Sequence, residues 1–187
     1  MTSCEQDEYR ALRATIRERG TARICVFAGG IAVWAAATIA TAALASTPVA
    51  TLLPLLVLVS VFEAIFALHV GVERIGRYIQ VFHEAGRSDG SGGAGGSGAF
   101  AGWEHAAMAF GRPVGAAATD ALFTVPFLLA ALCNTAPALI KDPARAELVV
   151  IGGAHALFVL RLLVARQAAE KQRAIDLERF QQLKRGA

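Results

Sequence analysis

The longest apolar runs of this sequence lack what a soluble amphipathic helix needs, a polar residue at every third or fourth position. That absence argues against a water-soluble single domain of 187 residues. Cysteine is also scarce. Cys4, Cys25 and Cys133 form no CxxC or other ligand spacing, and two of them lie inside apolar runs, which reads them as reduced packing residues. No serine or cysteine stands in a nucleophile elbow, and no His and Asp stand at a catalytic spacing near one. The glycine-rich stretch "GRSDGSGGAGGSG" has neither a strand before it nor GK[ST] after it, so it is no phosphate loop. Basic residues occur without a base-reading motif, which removes nucleic acid as a partner. No internal repeat is convincing, because the two halves place their polar residues differently, and a transporter built from repeats loses its usual pointer.

What the chain does have is apolar residues in blocks: 55% of it is hydrophobic, with a mean hydropathy of +0.49. Crossing roughly 30 Å of hydrocarbon takes about 20 apolar residues in a helix. Four stretches qualify, 24–46, 49–72, 113–140 and 148–165, the last being the weakest because it contains His155 and Arg161. Only Thr47 and Pro48 separate the first two, which makes a tight hairpin. The expected fold is an all-α integral membrane four-helix bundle with cytoplasmic helical extensions.

Basic residues stay on the cytoplasmic side of a membrane. Arg10, Arg13, Arg17, Arg19 and Arg23 precede the first span; Arg74, Arg77, Arg87 and Arg112 lie in the middle loop; Arg166, Lys171, Arg173, Arg179, Lys184 and Arg185 follow the fourth. Only Lys141 and Arg145 fall between spans three and four. Both termini are therefore expected in the cytoplasm, with the chain multi-pass in the cell inner (plasma) membrane. The small residues Ala43 and Ala45 before Ser46 resemble a signal cleavage site. The acidic residues Glu5, Asp7, Glu8 and Glu18 ahead of the first span, and its length, speak against that reading.

The soluble segments read as helices. Residues 1–23 form a cytoplasmic amphipathic helix through Tyr9, Leu12 and Ile16. Residues 73–112 hold a helical extension, a Gly/Ser linker at 86–98 and an interfacial helix with Trp103 at headgroup level. In the extension, Glu73 stands four residues before Arg77 as a helix-supporting pair. Residues 166–187 form a cytoplasmic C-terminal helix. These extensions pack as a small bundle or lie on the anionic inner leaflet.

Charged groups at bilayer depth cost about 2.5 to 3.5 kcal/mol each on insertion scales, so they pair or face protein. At 1.5 Å of rise per residue, Glu63 lies roughly 14 Å deep, Asp120 roughly 10 Å, Arg161 roughly 6 Å, His69 about 4 Å and His155 about 15 Å. One arginine faces two carboxylates. Asp120 is the expected partner of Arg161, leaving Glu63 as the spare acid, kept neutral by a raised pKa and bonded to Ser60 or a facing helix. The third span carries a stripe of Asp120, Thr124, Phe127, Ala131 and Asn134 that faces the bundle interior. Ala28, Ala32, Ala36 and Ala40, with Gly29 and Gly30, offer the first span a small-residue packing face, and Gly152 and Gly153 offer the fourth another.

Structural pairing of these groups is the first expectation, and the function that goes with it is a non-enzymatic scaffold or accessory subunit of a membrane complex. Its partners are the lipid bilayer and either a second protein or further copies of itself. A proton- or ion-coupled transporter or channel component using Glu63 and Asp120 is the second. A metalloenzyme is the third, with ligands drawn from Glu63, His69, Glu73, His83, Glu84, Glu104, His105, Asp120 and His155. It lacks both His-rich boxes and paired Glu-x-x-His motifs, so no metal and no cofactor is expected.

Overall fold

Pro48 sets the first turn of the molecule. A residue before proline is pushed into extended backbone, and Thr47 sits at φ −98°, ψ 136°. The 3₁₀ turn Pro48–Thr51 follows, closed by the Thr51 hydroxyl donating 2.8 Å to the Pro48 carbonyl. In this computed structural model the described residues are 3–84 and 119–186, and among them there is no strand. The linker 86–98, the interfacial segment with Trp103, and the start of the third apolar run at 113–118 lie outside the described residues.

Four helices make up the described chain. The first, α1, is Ser3–Leu44, 42 residues that unite the amphipathic stretch and the first apolar run. Gly20 does not break it, since a single helical glycine costs only about 1 kcal/mol. The second, α2, is Leu52–Ile79, continued by a π turn at Gln80–Glu84. Its Pro54 sits in the first turn, where the proline's missing N–H has no intrahelical partner to lose. The third, α3, is Thr119–Ile140 and tolerates Pro126 and Pro137 inside it. The fourth, α4, is Arg145–Gly186, again one 42-residue helix. Between α3 and α4, Asp142 takes φ 47°, a left-handed residue of the kind that ends helices, and Pro143 prevents continuation. Glu147 starts α4 by accepting the Ala144 N–H at 2.9 Å, half of a capping box.

The chain divides into two units. Of the described residues, unit 1 takes 3–21, 68–84 and 169–186, and unit 2 takes 22–67 and 119–168. The core of unit 2 is built from Leu55, Leu58, Phe62 and Ile65 on α2, Phe127, Ala130 and Ala131 on α3, and Phe158, Leu162 and Ala165 on α4. Val26, Phe27, Ile31 and Trp34 of α1 pack against it. Its centre is aromatic: Phe127 meets Phe62, Phe27 and Phe158 edge-on, with ring centroids 5.4, 6.0 and 6.5 Å away, the geometry that ring quadrupoles favour. Phe127, Ala131 and Asn134 of the expected α3 stripe are all buried.

Unit 1 is held by charge as much as by carbon. Tyr78, Phe82 and Phe180 form one aromatic group, and Ile79 and Val81 are buried. Beside it, Glu73 receives Arg77 at 3.1 Å, as its spacing predicts, and also Arg173 at 2.8 Å. Arg74 reaches Asp176 at 3.1 Å, whose other oxygen accepts from Gln172 at 2.9 Å. Lys184 donates to the Val81 carbonyl in the π turn.

Three of the helices are long and apolar enough to cross a membrane by length and composition: Ser3–Leu44, Pro48–Glu84 and Arg145–Gly186. The described apolar part of α3, Thr124–Ile140, is shorter. The fourth apolar run, weakest in sequence, thus lies in a helix that qualifies, while the third run is described only in part.

Candidate functional site

Two polar constellations stand inside unit 2, and together they account for most of the polar residues singled out from sequence. The first joins α2 to α4. Arg161 Nη2 donates to Glu63 Oε2 and its Nε lies on Oε1, both at 2.8 Å, a bidentate pair. The guanidinium also lies over the rings of Phe66 and Phe62, 4.7 and 5.7 Å from their centroids. Arg161 is 34% and Glu63 43% exposed, so the pair sits at the edge of the core with one side open.

This corrects the expected pairing. Glu63, not left over, is the partner of Arg161, and the Ser60 hydroxyl turns instead to the Leu56 carbonyl of its own helix at 2.9 Å. The reason is which helices are neighbours. Phe62 touches Phe158 with centroids 6.2 Å apart, so the next residue on α2 and the next turn of α4 meet. Asp120 lies in the first turn of α3, and its side chain lies outside the described residues.

The second constellation centres on Asn134, which is fully buried. Its amide nitrogen donates to the Thr51 carbonyl at 2.9 Å and faces His155 Nε2 at 3.1 Å. Its oxygen receives Trp34 Nε1 at 3.4 Å, with the Thr38 hydroxyl at 3.5 Å. His155 Nδ1 lies 2.8 Å from the Ile151 carbonyl, which can only accept, so Nδ1 carries the ring proton. Nε2 then accepts from Asn134. A flipped amide would set its oxygen against the Thr51 carbonyl and its nitrogen against the Trp34 N–H, so the orientation is self-consistent only as described. Asn134 thereby uses both donors and its acceptor. The network ties α1, the 3₁₀ turn, α3 and α4 together.

Lys141 extends the same logic to a helix end. It donates to the Thr41 carbonyl at 3.2 Å and to the Ala45 carbonyl, capping the C-terminus of α1, where cations are favoured. Sequence reasoning marked Asn134 and His155 and missed Trp34, Thr38, Thr51 and Lys141. The available signal was that Phe27 and Trp34, the only aromatics of residues 24–44, stand seven apart, two helical turns along one face.

In the fold, Phe27 and Trp34 mark the contact face of α1. Ala28, Ala32, Ala36, Ala40 and Gly29 are all exposed, and Gly152 and Gly153 are exposed on α4 with nothing near the place a Cβ would occupy. Within this chain they are not packing residues. Gly30 is: a Cβ there would collide with the Val61 side chain, so α1 and α2 approach closely at this glycine. All three cysteines are free and exposed, and so are not packing residues within the chain either.

The remaining sequence candidates lie in unit 1. His69 is half-buried in α2. His83 sits in the π turn between the rings of Tyr9 and Tyr78, at 5.8 and 5.7 Å, with Nε2 3.8 Å from Glu8. Tyr78 donates to Glu8 at 2.8 Å, and that bond, then burial, then the nearby negative charge push the phenol above its ordinary value of 10.0. Among the described residues no group of three or more His, Cys, Asp or Glu is placed to hold a metal ion. Comparison of the chain with protein-family models, with curated proteins and with solved structures gives no match.

Proposed function

We propose that this chain is a small multi-pass protein of the cell inner (plasma) membrane, with both termini cytoplasmic. In this reading its role is that of a non-enzymatic scaffold or accessory subunit. The membrane part rests on the outward surface of unit 2. Ile39 on α1, Leu132 on α3, and Val149 and Leu157 on α4 are each more than two-thirds exposed, and they stand among many other bare large apolar side chains. In water such a surface invites aggregation, whereas in hydrocarbon it is the expected exterior. Unit 2 holds Arg23, Glu63, Asp120, Lys141, Asp142, Arg145, Glu147, Arg161 and Arg166 as its only charged residues, and all the others belong to unit 1. Helix α3 is the proposed fourth span, since its 22 residues reach about 33 Å at 1.5 Å each. Basic residues in the N-terminal part of α1 and the C-terminal part of α4, beside their apolar stretches, set the orientation.

The single observation that carries the scaffold role is the mutual engagement of the polar groups of unit 2. Glu63 is taken by Arg161 and Asn134 by its four neighbours, so these groups serve helix assembly. Two measurements test the proposal. The chain is expected to stay with membranes through an alkaline carbonate wash, with tags on both ends reachable only after the cytoplasmic face is opened. Glu63→Gln is expected to keep function in cells. Proton-linked flux that the wild type shows and E63Q loses overturns the scaffold in favour of a transporter working through Glu63.

A further inference from the structure

In unit 1, Arg74, Arg77 and Arg173 each reach a carboxylate. Arg19 of α1 does not: among the described residues it has no hydrogen bond and no ion pair. It is nevertheless held in place. The residue is half-buried, and its guanidinium lies against α2 at Gly71, with Nη1 2.5 Å from the place a Cβ of residue 71 would occupy. Only a glycine leaves that seat open. A guanidinium keeps its charge, so one that is partly dehydrated and unpaired calls for an acceptor.

The position of the seat says where that acceptor comes from. Arg19 stands five residues before Ile24, where the first apolar run opens, and Gly71 one residue before Val72, where the second closes. At 1.5 Å of rise per residue, both lie within about 8 Å of those ends. A bilayer of about 30 Å of hydrocarbon measures about 40 to 45 Å with its headgroups, so the seat falls at the level of the headgroup layer.

We infer that Arg19, seated on Gly71, binds the phosphate of an anionic phospholipid. The inference rests on the membrane reading above. Phosphate oxygens match the guanidinium fork, and each such bond is charge-assisted. No described carboxylate offsets the Arg19 charge, so the site favours a headgroup with net negative charge over one whose phosphate is balanced by its own choline. Free phosphate offers the same oxygens, but it has no acyl chains to hold it at this level of the bilayer.

Native mass spectrometry of the full chain in a neutral detergent, with phosphatidylglycerol or phosphatidylcholine added, tests this. Wild type is expected to retain phosphatidylglycerol in preference to phosphatidylcholine. Arg19→Gln is expected to weaken phosphatidylglycerol retention about tenfold, the size of one charge-assisted hydrogen bond. Arg17→Gln is the control. It removes the same charge from an exposed position two residues away, on the other side of α1, and is expected to weaken retention less than about twofold, since a neutral micelle has no charged leaflet for it to meet. Gly71→Ala keeps every charge and pushes the flexible end of Arg19 off its seat, and its retention is expected to fall between those of the two arginine variants. Circular dichroism checks that each variant stays helical. The inference is overturned, with the membrane reading intact, if wild type shows no preference, if Arg17→Gln loses as much as Arg19→Gln, or if Gly71→Ala loses nothing. It is overturned in favour of free phosphate if inorganic phosphate displaces the lipid where chloride at equal ionic strength does not. Release of the chain by the carbonate wash sinks the membrane reading itself.

Discussion

Units 1 and 2 are built from stretches of the same three helices, α1, α2 and α4, yet they are held by different forces. Unit 2 adds α3 and closes around phenylalanine rings, with Asn134 bonded inside and Glu63 paired with Arg161 at the edge of the core. Unit 1 places ion pairs around a small aromatic group, and Glu73 and Asp176 each serve two partners. Neighbouring lengths of one helix can thus obey opposite rules, because the surroundings decide whether a charge is cheap. In hydrocarbon an unmatched donor has nothing to turn to, and in water it always has solvent.

Breaking the core of unit 2 should have the largest effect. Phe127→Ala opens a cavity at the meeting point of four rings and is expected to destabilise by about 3 kcal/mol, read as a lower denaturant midpoint for loss of helical circular dichroism in detergent. Next comes Asn134→Leu, which leaves the Trp34 N–H, the Thr51 carbonyl and His155 Nε2 unmatched and should cost about 2 kcal/mol in the same assay. A much smaller effect would show that the groups around Asn134 find other partners.

The Glu63–Arg161 pair should show a coupling of on the order of 1 kcal/mol in a double-mutant cycle, because it is partly exposed. In unit 1, Asp176→Asn and Glu73→Gln should each cost about 0.5 kcal/mol, and the loss should fade in high salt. Raising salt is expected to leave the Asn134 effect unchanged. Equal salt dependence in both units would dissolve the contrast between them.

The smallest effect is a titration. The Tyr78 pKa is raised by the Glu8 bond, so its stabilising contribution is complete below the ordinary phenol value and is lost as pH rises through the higher folded value. The difference in tyrosinate absorbance between wild type and Tyr78→Phe should therefore have its midpoint above 10, and Glu8→Gln should move it down.

Much of this was readable in the sequence. The all-helical class follows from apolar blocks with helical spacing around them. The α3 face through Phe127, Ala131 and Asn134 follows from steps of four and three, and the Glu73–Arg77 pair from its i,i+4 spacing. The face of α1 was not readable. Its apolar half has small residues on one side and Phe27, Ile31 and Trp34 on another, and both suit a helix contact, so composition cannot rank them. The partner of Arg161 was not readable either, because two acids lay at suitable depths.

The sequence by itself determined where the helices run and which lengths of them are oil-like or charged, since these depend on residues near one another along the chain. Tertiary structure alone decided that α2 and α4 lie together at Glu63 and Arg161, that Gly30 rather than the alanine row is the close approach, and that Asn134 gathers partners from three other elements. Such choices depend on how side chains far apart in sequence fill one shared volume, and no local pattern encodes that.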